Sequence, residues 1–298
     1  MDLSEIEKFR DPIWRTSHLY SIRERGGKVI PFRPRPQQSQ VLDMIYRRGL
    51  KRIVILKARQ IGFSTLLGVI CADQLCWNTG KQISLVDKTQ EDARQKLKNI
   101  TVLAYDSLHP DLRNRFVVSR ANSGEFGVRF FEYEEAQTST MFAGTHARGG
   151  SNFFVWISEW GVIQAEDLRR SEEILTGAIP SAKDGLVVVE TTWRGGRGGH
   201  LWDIVKKALE TPEEQKHPDD WRVVFFPWQH DPAYCDAEPQ PLKEETVRYF
   251  SDKPGFSVGQ KSWYQKARDQ FGLFTLREFP TVLEECSAHR RRDARYRL

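Results

Sequence analysis

The sequence lacks the features that assign many proteins to a class at once. Its four cysteines, spread over 298 residues, have neither the close pairing of a zinc site nor the density of a disulfide scaffold. Its longest apolar runs, such as residues 152–157, have the length of a strand and fall far short of the roughly 20 residues that span a bilayer. Its N-terminus is charged and has no apolar stretch of the secretory type. We therefore expect a globular protein that stays in the cytoplasm of the cell that makes it and does not insert into a membrane.

A strong excess of charge is also missing. The net charge of +5 favours an acidic partner such as nucleic acid but does not identify one. Part of this excess comes from residues 289–298, which hold five arginines and one aspartate. The rest of the chain is therefore close to neutral.

Strand-like and helix-like segments alternate along the chain, which is typical of an α/β fold with a mainly parallel sheet flanked by helices. Strands are predicted at residues 52–56, 82–86, 128–133, 153–157, 186–189 and 221–226. Helices are predicted at residues 39–48, 64–77, 89–105, 166–176, 200–209 and 261–271. The predicted organisation is a leader (1–30), a core domain (31–230), and a small helical extension with the basic tail (231–298).

The segment KARQIGFST, residues 57–65, lies between a predicted strand and a predicted helix. Compared with the phosphate-loop motif G-x-x-x-x-G-K-[ST], it keeps Gly62 and Ser64, but Lys57 stands at the first glycine and Phe63 at the lysine. Phosphate binding requires backbone amides at a helix N-terminus, a hydroxyl for Mg²⁺ and a cation. Lys57 could supply the cation by folding back over the phosphates, with Arg59 as a second candidate. A connection that binds no nucleotide is the alternative.

A nucleotide in this loop would be contacted by eight residues: Lys57, Arg59, Gln60, Ile61, Gly62, Phe63, Ser64 and Thr65.

Polar residues end two further predicted strands. Residues 153–157 lead into Ser158 and Glu159, in the manner of a Walker B motif with serine in place of aspartate. In ATPases of the ASCE class the first acidic residue holds Mg²⁺ through its water shell, and the following glutamate polarises the attacking water. Glu159 would be this base, and Ser158 would keep a weaker role toward the metal. A strand that simply ends in a polar turn is the alternative.

The strand at residues 186–189 continues into Glu190, Thr191 and Thr192. Ligands of open parallel sheets bind at the carboxyl edge, so the three strand ends outline one site. Thr191 and Thr192 suit a sensor that detects the γ-phosphate. The glycine-rich segment at residues 193–199 is typical of a flexible loop.

The order of these motifs resembles that of the large terminase subunit of tailed bacteriophages, the motor that drives DNA into an empty procapsid. The resemblance extends from about residue 30 to residue 286, and some members of that family carry the loop lysine and the aromatic residue where Lys57 and Phe63 stand. It rests on the loop and on the sequences QQ (37–38), ARGG (147–150), SEW (158–160), ETT (190–192) and REFPT (277–281).

This resemblance implies an ASCE-type P-loop NTPase that binds ATP and Mg²⁺. Gln38 or its neighbour Gln37 would contact adenine, because a glutamine amide both donates and accepts hydrogen bonds. Arg148 would be the arginine finger, whose guanidinium is always charged and bidentate. A helix-capping glutamine and an ordinary surface arginine are the alternatives. The implied catalytic residues are Glu159, Arg148 and Lys57, and the implied metal-binding residues are Ser64, Ser158 and Glu159.

The resemblance also implies partners: double-stranded DNA, a small terminase subunit, a portal protein and further copies of the chain in a ring, with the isolated chain a monomer. The setting would be the cytoplasm of the infected bacterial host. The chain would contact DNA through the DNA phosphates, with residues 193–197 as a candidate contact surface. Since the family's nuclease domain has no counterpart before residue 298, we expect no nuclease activity from this chain. A helicase-type translocase and a decayed, non-catalytic DNA-binding subunit are the alternatives.

Overall fold

An eight-stranded sheet forms the centre of the computed structural model, which describes residues 3–119, 124–131, 137–147, 150–194 and 196–286. A hairpin of two short strands precedes it in the chain. The strands of the described residues are β1 (Ser21–Arg23), β2 (Val29–Pro31), β3 (Arg52–Lys57), β4 (Gln82–Val86), β5 (Phe116–Ser119), β6 (Glu125–Phe130), β7 (Ser139–Gly144), β8 (Phe154–Ser158), β9 (Leu186–Thr191) and β10 (Arg222–Phe226).

The large sheet is mainly parallel, which confirms the predicted fold class. Its order is β10-β3-β9-β8-β4-β7-β6-β5. The pairs from β10 to β7 are parallel, and β6 and β5 add an antiparallel edge. The strand predicted at residues 128–133 overlaps only the end of β6, and residues 132–133 lie outside the described ranges. β7, with the sequence STMFAG, escapes prediction because small and polar residues interrupt its apolar pattern.

Helices cover the sheet and supply the connections between parallel strands. Two π-helical stretches, Leu97–Val102 and Ile174–Ala178, continue α5 and α9. The α-helices of the described residues are α1 (Leu3–Arg10), α2 (Pro12–His18), α3 (Pro36–Tyr46), α4 (Phe63–Trp77), α5 (Gln90–Lys96), α6 (Leu103–Asp106), α7 (Pro110–Arg113), α8 (Trp160–Glu166), α9 (Leu168–Glu173), α10 (Ile179–Ser181), α11 (His200–Glu210), α12 (Glu244–Tyr249), α13 (Val258–Phe271), α14 (Thr275–Glu278) and α15 (Leu283–Cys286).

The sheet is buried on both faces, as the continuous apolar sequence of β3 requires. All six β3 residues are buried. Ile53 and Ile55 belong to the core that contains side chains of α3 and α4, whereas Val54 and Leu56 belong to the core that contains side chains of α8 and α11. Full burial of each such side chain contributes about 1.5–3 kcal/mol. None of the helices in the described ranges is long and apolar enough to cross a membrane.

The N-terminal helices are anchored to the core by a buried ion pair. Arg15 of α2 donates from Nε and from a terminal nitrogen to the two carboxylate oxygens of Asp73 in α4, at 2.9 and 2.8 Å. Tyr20 donates a further hydrogen bond to the same carboxylate at 3.0 Å. The position of α2 is thereby fixed on the outer side of α4.

The C-terminal helices pack through aromatic side chains against the segment that follows β10, and their backbone contacts the loop before α4. Trp228, which follows β10, is fully buried, and the ring of Tyr264 in α13 stacks on it at 5.2 Å. The main-chain carbonyl of Glu278 in α14 accepts a hydrogen bond from the N–H of Arg59 at 2.8 Å. The C-terminal segment therefore supports one side of the loop between β3 and α4. The basic tail, residues 289–298, lies outside the described ranges.

Candidate functional site

The carboxyl ends of β3, β9 and β8 lie side by side and bring together residues that are far apart in the sequence. β9 lies between the other two strands, with Leu56 of β3 paired to Thr191 and Ser158 of β8 paired to Glu190. The side chains at the three strand ends therefore meet at one edge of the sheet, where α/β proteins bind ligands. Glu190 occupies the middle of this edge.

The loop between β3 and α4 turns at a glycine and leads into a helix N-terminus, the kind of backbone position at which phosphates bind. Gly62 precedes α4 with φ 87°, a left-handed conformation that favours glycine, and α4 then runs for 15 residues. The side chain of Phe63, which stands at the usual lysine position, is buried in the core and stacks on Phe226 at 4.5 Å. Ile61 is also buried. Phe63 and Ile61 therefore offer a nucleotide only their backbone groups.

Lys57, the last residue of β3, places a cation at this edge. Its Nζ lies 3.1 Å from Glu190 Oε2 and 3.4 Å from Glu159 Oε1, and its side chain is only 6% exposed. Burial alone would lower the pKa of Lys57, but the attraction of Glu190 and Glu159 outweighs burial and raises it. Lys57 is therefore charged at neutral pH and faces the strand ends.

Glu190 is completely buried and joins the loop to β8. Its Oε1 accepts hydrogen bonds from Ser64 Oγ at 2.9 Å and from Ser158 Oγ at 2.7 Å. Burial would raise the pKa of Glu190, but Lys57, Lys96 and the two hydroxyls hold it below its ordinary value. Glu190 is therefore an ionised carboxylate in contact with the hydroxyl expected to bind Mg²⁺.

A second lysine, Lys96 of α5, enters the site from the far side of β8. Its Nζ donates to Ser158 Oγ at 2.5 Å and to Asp87 Oδ2 at 2.6 Å. Burial raises the pKa of Asp87 in spite of this lysine. Neither residue is among those predicted from the sequence. Asp87 directly follows β4 and carried the same signal as the other polar strand ends, whereas Lys96 lies in a helix where no motif marks it.

Glu159 and Thr192 face each other across the site. Glu159 has φ 59°, and its N–H donates to the Glu190 carbonyl at 2.8 Å, so the strained backbone is held at the start of α8. Thr192 Oγ1 donates to Glu159 Oε2 at 3.3 Å. The carboxylate of Glu159 is therefore oriented by Lys57 on one side and by Thr192 on the other.

Thr191 has a different environment from Thr192. It is fully buried, donates from Oγ1 to the Thr192 carbonyl at 2.6 Å and accepts from the N–H of Gly161 at 3.0 Å. A side-chain carbon at Gly161 would lie 2.7 Å from the Thr192 carbonyl oxygen, which explains the glycine. Thr191 thus fixes α8 against β9, and Thr192 is the threonine that contacts Glu159.

The two glutamines predicted to contact adenine, Gln37 and Gln38 of α3, also differ. Gln38 is buried, donates from Nε2 to the Gly62 carbonyl at 2.8 Å and accepts from the N–H of Arg35 at 2.9 Å. Gln37 is partly exposed and donates to the His230 carbonyl at 2.7 Å. Gln38 therefore ties α3 to the loop between β3 and α4, and Gln37 lies nearer the solvent.

The remaining predicted residues are dispersed. Arg59 is half exposed, and its side chain lies 3.9 Å from Glu278, away from the carboxylates of the strand ends. Gln60 is exposed with φ 60°, and Thr65 lies in the first turn of α4. In the candidate DNA-contacting segment 193–197, the Trp193 side chain is buried. Arg148, the predicted arginine finger, lies outside the described residues.

The donor set fits a nucleotide-bound Mg²⁺ better than a metal held by protein alone. Within the described ranges no group of three or more His, Cys, Asp or Glu side chains is placed to hold a metal ion. Mg²⁺ commonly keeps several waters and binds to one or two carboxylates together with substrate phosphates. Ser64, Ser158 and the carboxylates of Glu159 and Glu190 match that requirement.

Comparison with known proteins supports the fold. Neither the protein-family models nor the curated protein sequences gave a match. Among solved structures, the large terminase ATPase domain of Thermus phage P74-26 is similar with a TM-score of 0.55 and 16% identity, covering 83% of this chain and 93% of that domain. A point mutant of the same domain gives 0.57.

The large terminase of bacteriophage HK97 is similar with a TM-score of 0.60 and 16% identity over 91% of this chain. The similarity covers 54% of the HK97 chain, so the present chain spans about half of that protein. The chain thus has the fold of large terminase ATPase domains.

Proposed function

We propose that this chain hydrolyses ATP as the motor ATPase of a terminase-type DNA-packaging machine. The observation that carries the proposal is the meeting of Lys57, Ser64 and Glu159 at the carboxyl edge of a sheet with the terminase ATPase fold. A cation, a hydroxyl at a helix N-terminus and an oriented carboxylate are the groups that ATP hydrolysis requires.

In the proposed complex the phosphates bind at the N-terminus of α4, where the first N–H groups of the helix have no intrahelical acceptor. Lys57 leaves Glu159 and turns toward the β- and γ-phosphates. Gln37, at the outer end of α3, contacts the adenine edge, while Gln38 holds the loop in place. Mg²⁺ would neutralise charge on the phosphates and would be held through Ser64, with Ser158 and Glu159 nearby.

Glu159 is the proposed base. Its side chain is 22% exposed, so it is open to solvent, and Lys57 and Thr192 restrain its orientation. Movement of Lys57 to the phosphates would free one carboxylate oxygen to accept a proton from water. Thr192 then connects the γ-phosphate position to β9 and the segment that follows it.

The proposed mechanical role adds partners. Double-stranded DNA would be held through its phosphates, and further copies of the chain in a ring would supply Arg148 as a finger in trans. A portal protein and a small terminase subunit complete the proposed assembly. Because the Trp193 ring is buried, contact with DNA in this segment is proposed for the two arginines, Arg194 and Arg197.

ATP turnover and nucleotide affinity of the purified chain test the proposal. Glu159→Gln is expected to retain ATP affinity within a few-fold and to lower turnover by about 100-fold or more, because general base catalysis contributes typically 10²–10⁴-fold. Glu285→Gln is the control. It removes another buried carboxylate, which contacts Tyr249 near the C-terminal end of the described residues, and it is expected to leave turnover unchanged.

Turnover that is equal in the wild type and Glu159→Gln, with DNA present, would contradict the proposed catalysis. Such a result would favour a DNA-binding assembly subunit that binds nucleotide without hydrolysing it.

A further inference from the structure

We propose that Glu190 supplies the carboxylate that positions the nucleotide-bound Mg²⁺, in place of the aspartate missing at Ser158. The inference rests on the proposed function, since it concerns the metal of the same nucleotide. It assigns to β9 a role that ASCE ATPases usually give to the end of the Walker B strand, which is β8 in this fold.

The hydrogen bonds of Glu190 carry the inference. Its Oε1 accepts from Ser64, the hydroxyl at the start of α4, at 2.9 Å and from Ser158 at 2.7 Å. A carboxylate that accepts a hydrogen bond from a metal-binding hydroxyl orients that hydroxyl toward the ion, and such partners affect metal affinity. Glu190 is the carboxylate that makes this contact, whereas Glu159 contacts Lys57 and Thr192.

The position of β9 and the length of a glutamate side chain explain why the carboxylate can come from β9 instead of β8. Glu190 pairs in register with Ser158, so both lie at the same height of the sheet. Because β9 lies between β3 and β8, its strand end is the immediate neighbour of the phosphate loop. A glutamate at this point reaches the Ser64 hydroxyl, and Ser158 is left to support the carboxylate.

Glu190 carries a buried negative charge that a bound metal ion would neutralise. The side chain is completely buried, yet Lys57 lies 3.1 Å from its Oε2. When Lys57 turns to the phosphates, this buried negative charge loses its nearest cation. A divalent ion bound with the phosphates would replace it, since an uncompensated buried charge is costly.

The test compares ADP affinity with Mg²⁺ and with EDTA, by calorimetry on the full chain. The magnesium enhancement is the ratio of the two dissociation constants. Glu190→Gln is expected to reduce the enhancement by about 10- to 100-fold, the usual effect of losing an outer ligand partner. Metal-free ADP should bind as tightly as before or more tightly, because one negative charge near the phosphates is removed.

Two controls separate this role from a structural one. Glu285→Gln, which changes a buried carboxylate that contacts Tyr249 and Thr281 rather than the strand ends, should keep the wild-type enhancement. The double variant Ser158→Asp/Glu190→Ser moves the carboxylate to β8 and should regain most of the enhancement. The double variant also tests the inference if Glu190→Gln fails to fold, and a double variant that folds but shows no enhancement would overturn it.

The other outcomes are distinct. If Glu190→Gln keeps the wild-type enhancement, or loses affinity equally with Mg²⁺ and with EDTA, the inference is wrong and the proposed ATPase function stands. If the wild type binds no ADP under either condition, the proposed function fails and the inference fails with it. Paramagnetic resonance of Mn²⁺ added with ADP gives an independent count of bound metal for the same variants.

Discussion

Replacing Lys57 by alanine tests whether the loop cation has moved from residue 63 to residue 57. The change removes a buried ammonium that lies 3.1 Å from Glu190 and 3.4 Å from Glu159. Loss of one partner of a buried ion pair costs about 3–5 kcal/mol. We expect the lower end, about 3 kcal/mol, because Lys96 also attracts Glu190 and because Glu159 is partly exposed.

The same variant should bind nucleotide poorly. A hydrogen bond to a charged group contributes about 1.5–3 kcal/mol, which corresponds to roughly 10- to 150-fold in affinity. The two carboxylates left without Lys57 would also repel the phosphates. Titration with a fluorescent ATP analogue measures the affinity, and urea unfolding measures the stability under the same conditions.

Lys51→Ala is the matched control, because Lys51 directly precedes β3 at its opposite end and pairs with Asp219 at the surface. An exposed pair of this kind contributes about 0–1 kcal/mol, so the control should keep both affinity and stability. The reasoning is refuted if Lys57→Ala, shown to be folded, binds ATP with wild-type affinity.

Three further predictions concern other parts of the molecule. Phe63→Lys restores the usual motif residue but places an ammonium in the core, so a thermal melt should show a loss of several kcal/mol; introduced into Lys57→Ala, it should not recover nucleotide affinity. Thr191→Val leaves the N–H of Gly161 without its acceptor and should lower the free energy of unfolding by about 1–3 kcal/mol; urea unfolding measures the loss, and an unchanged midpoint would contradict the assigned hydrogen bond. Arg15→Leu leaves Asp73, whose pKa burial already raises, without its cation. A carboxyl whose pKa is higher in the folded than in the unfolded state destabilises the fold where it must ionise, which is at higher pH. The free energy of unfolding of Arg15→Leu should therefore be about 3–5 kcal/mol lower than that of the wild type at neutral pH, and the difference should shrink as the pH falls toward about 4. A difference that does not depend on pH would contradict this account.

The sheet edge could be predicted from the sequence because buried parallel strands are continuous apolar runs that end abruptly. β3, β8 and β9 each have such a run, followed directly by Lys57, Ser158 and Glu190. Parallel strands present their carboxyl ends at one edge, so convergence of these ends needed no knowledge of strand order. That this edge binds a nucleotide stays a prediction, made from the motifs and the resemblance.

The contacts within the site depended on information that the sequence pattern does not contain. Strand order is set by packing of the whole sheet, and only the insertion of β9 between β3 and β8 brings Glu190 to Ser64. The direction of the Phe63 side chain depends on the rotation of α4 against Phe226. Lys96 is positioned by α5, which packs against β7, and its side chain reaches Ser158. No local signal in the sequence distinguishes it from other helix lysines.

The chain departs from the usual motifs at two positions, Ser158 and Phe63, and at each of them a nearby residue supplies the missing charge. An aspartate at position 158 would place its carboxylate against Glu190, whose oxygen lies 2.7 Å from Ser158 Oγ, and like charges at that distance disfavour ionisation of one partner. Serine instead donates a hydrogen bond to Glu190 and accepts one from Lys96. Similarly, Phe63 fills the core while Lys57 provides the charge at the strand end. Because a site decaying by random substitution would lose such complementary partners, the matched partners support the proposed nucleotide site rather than a non-catalytic remnant.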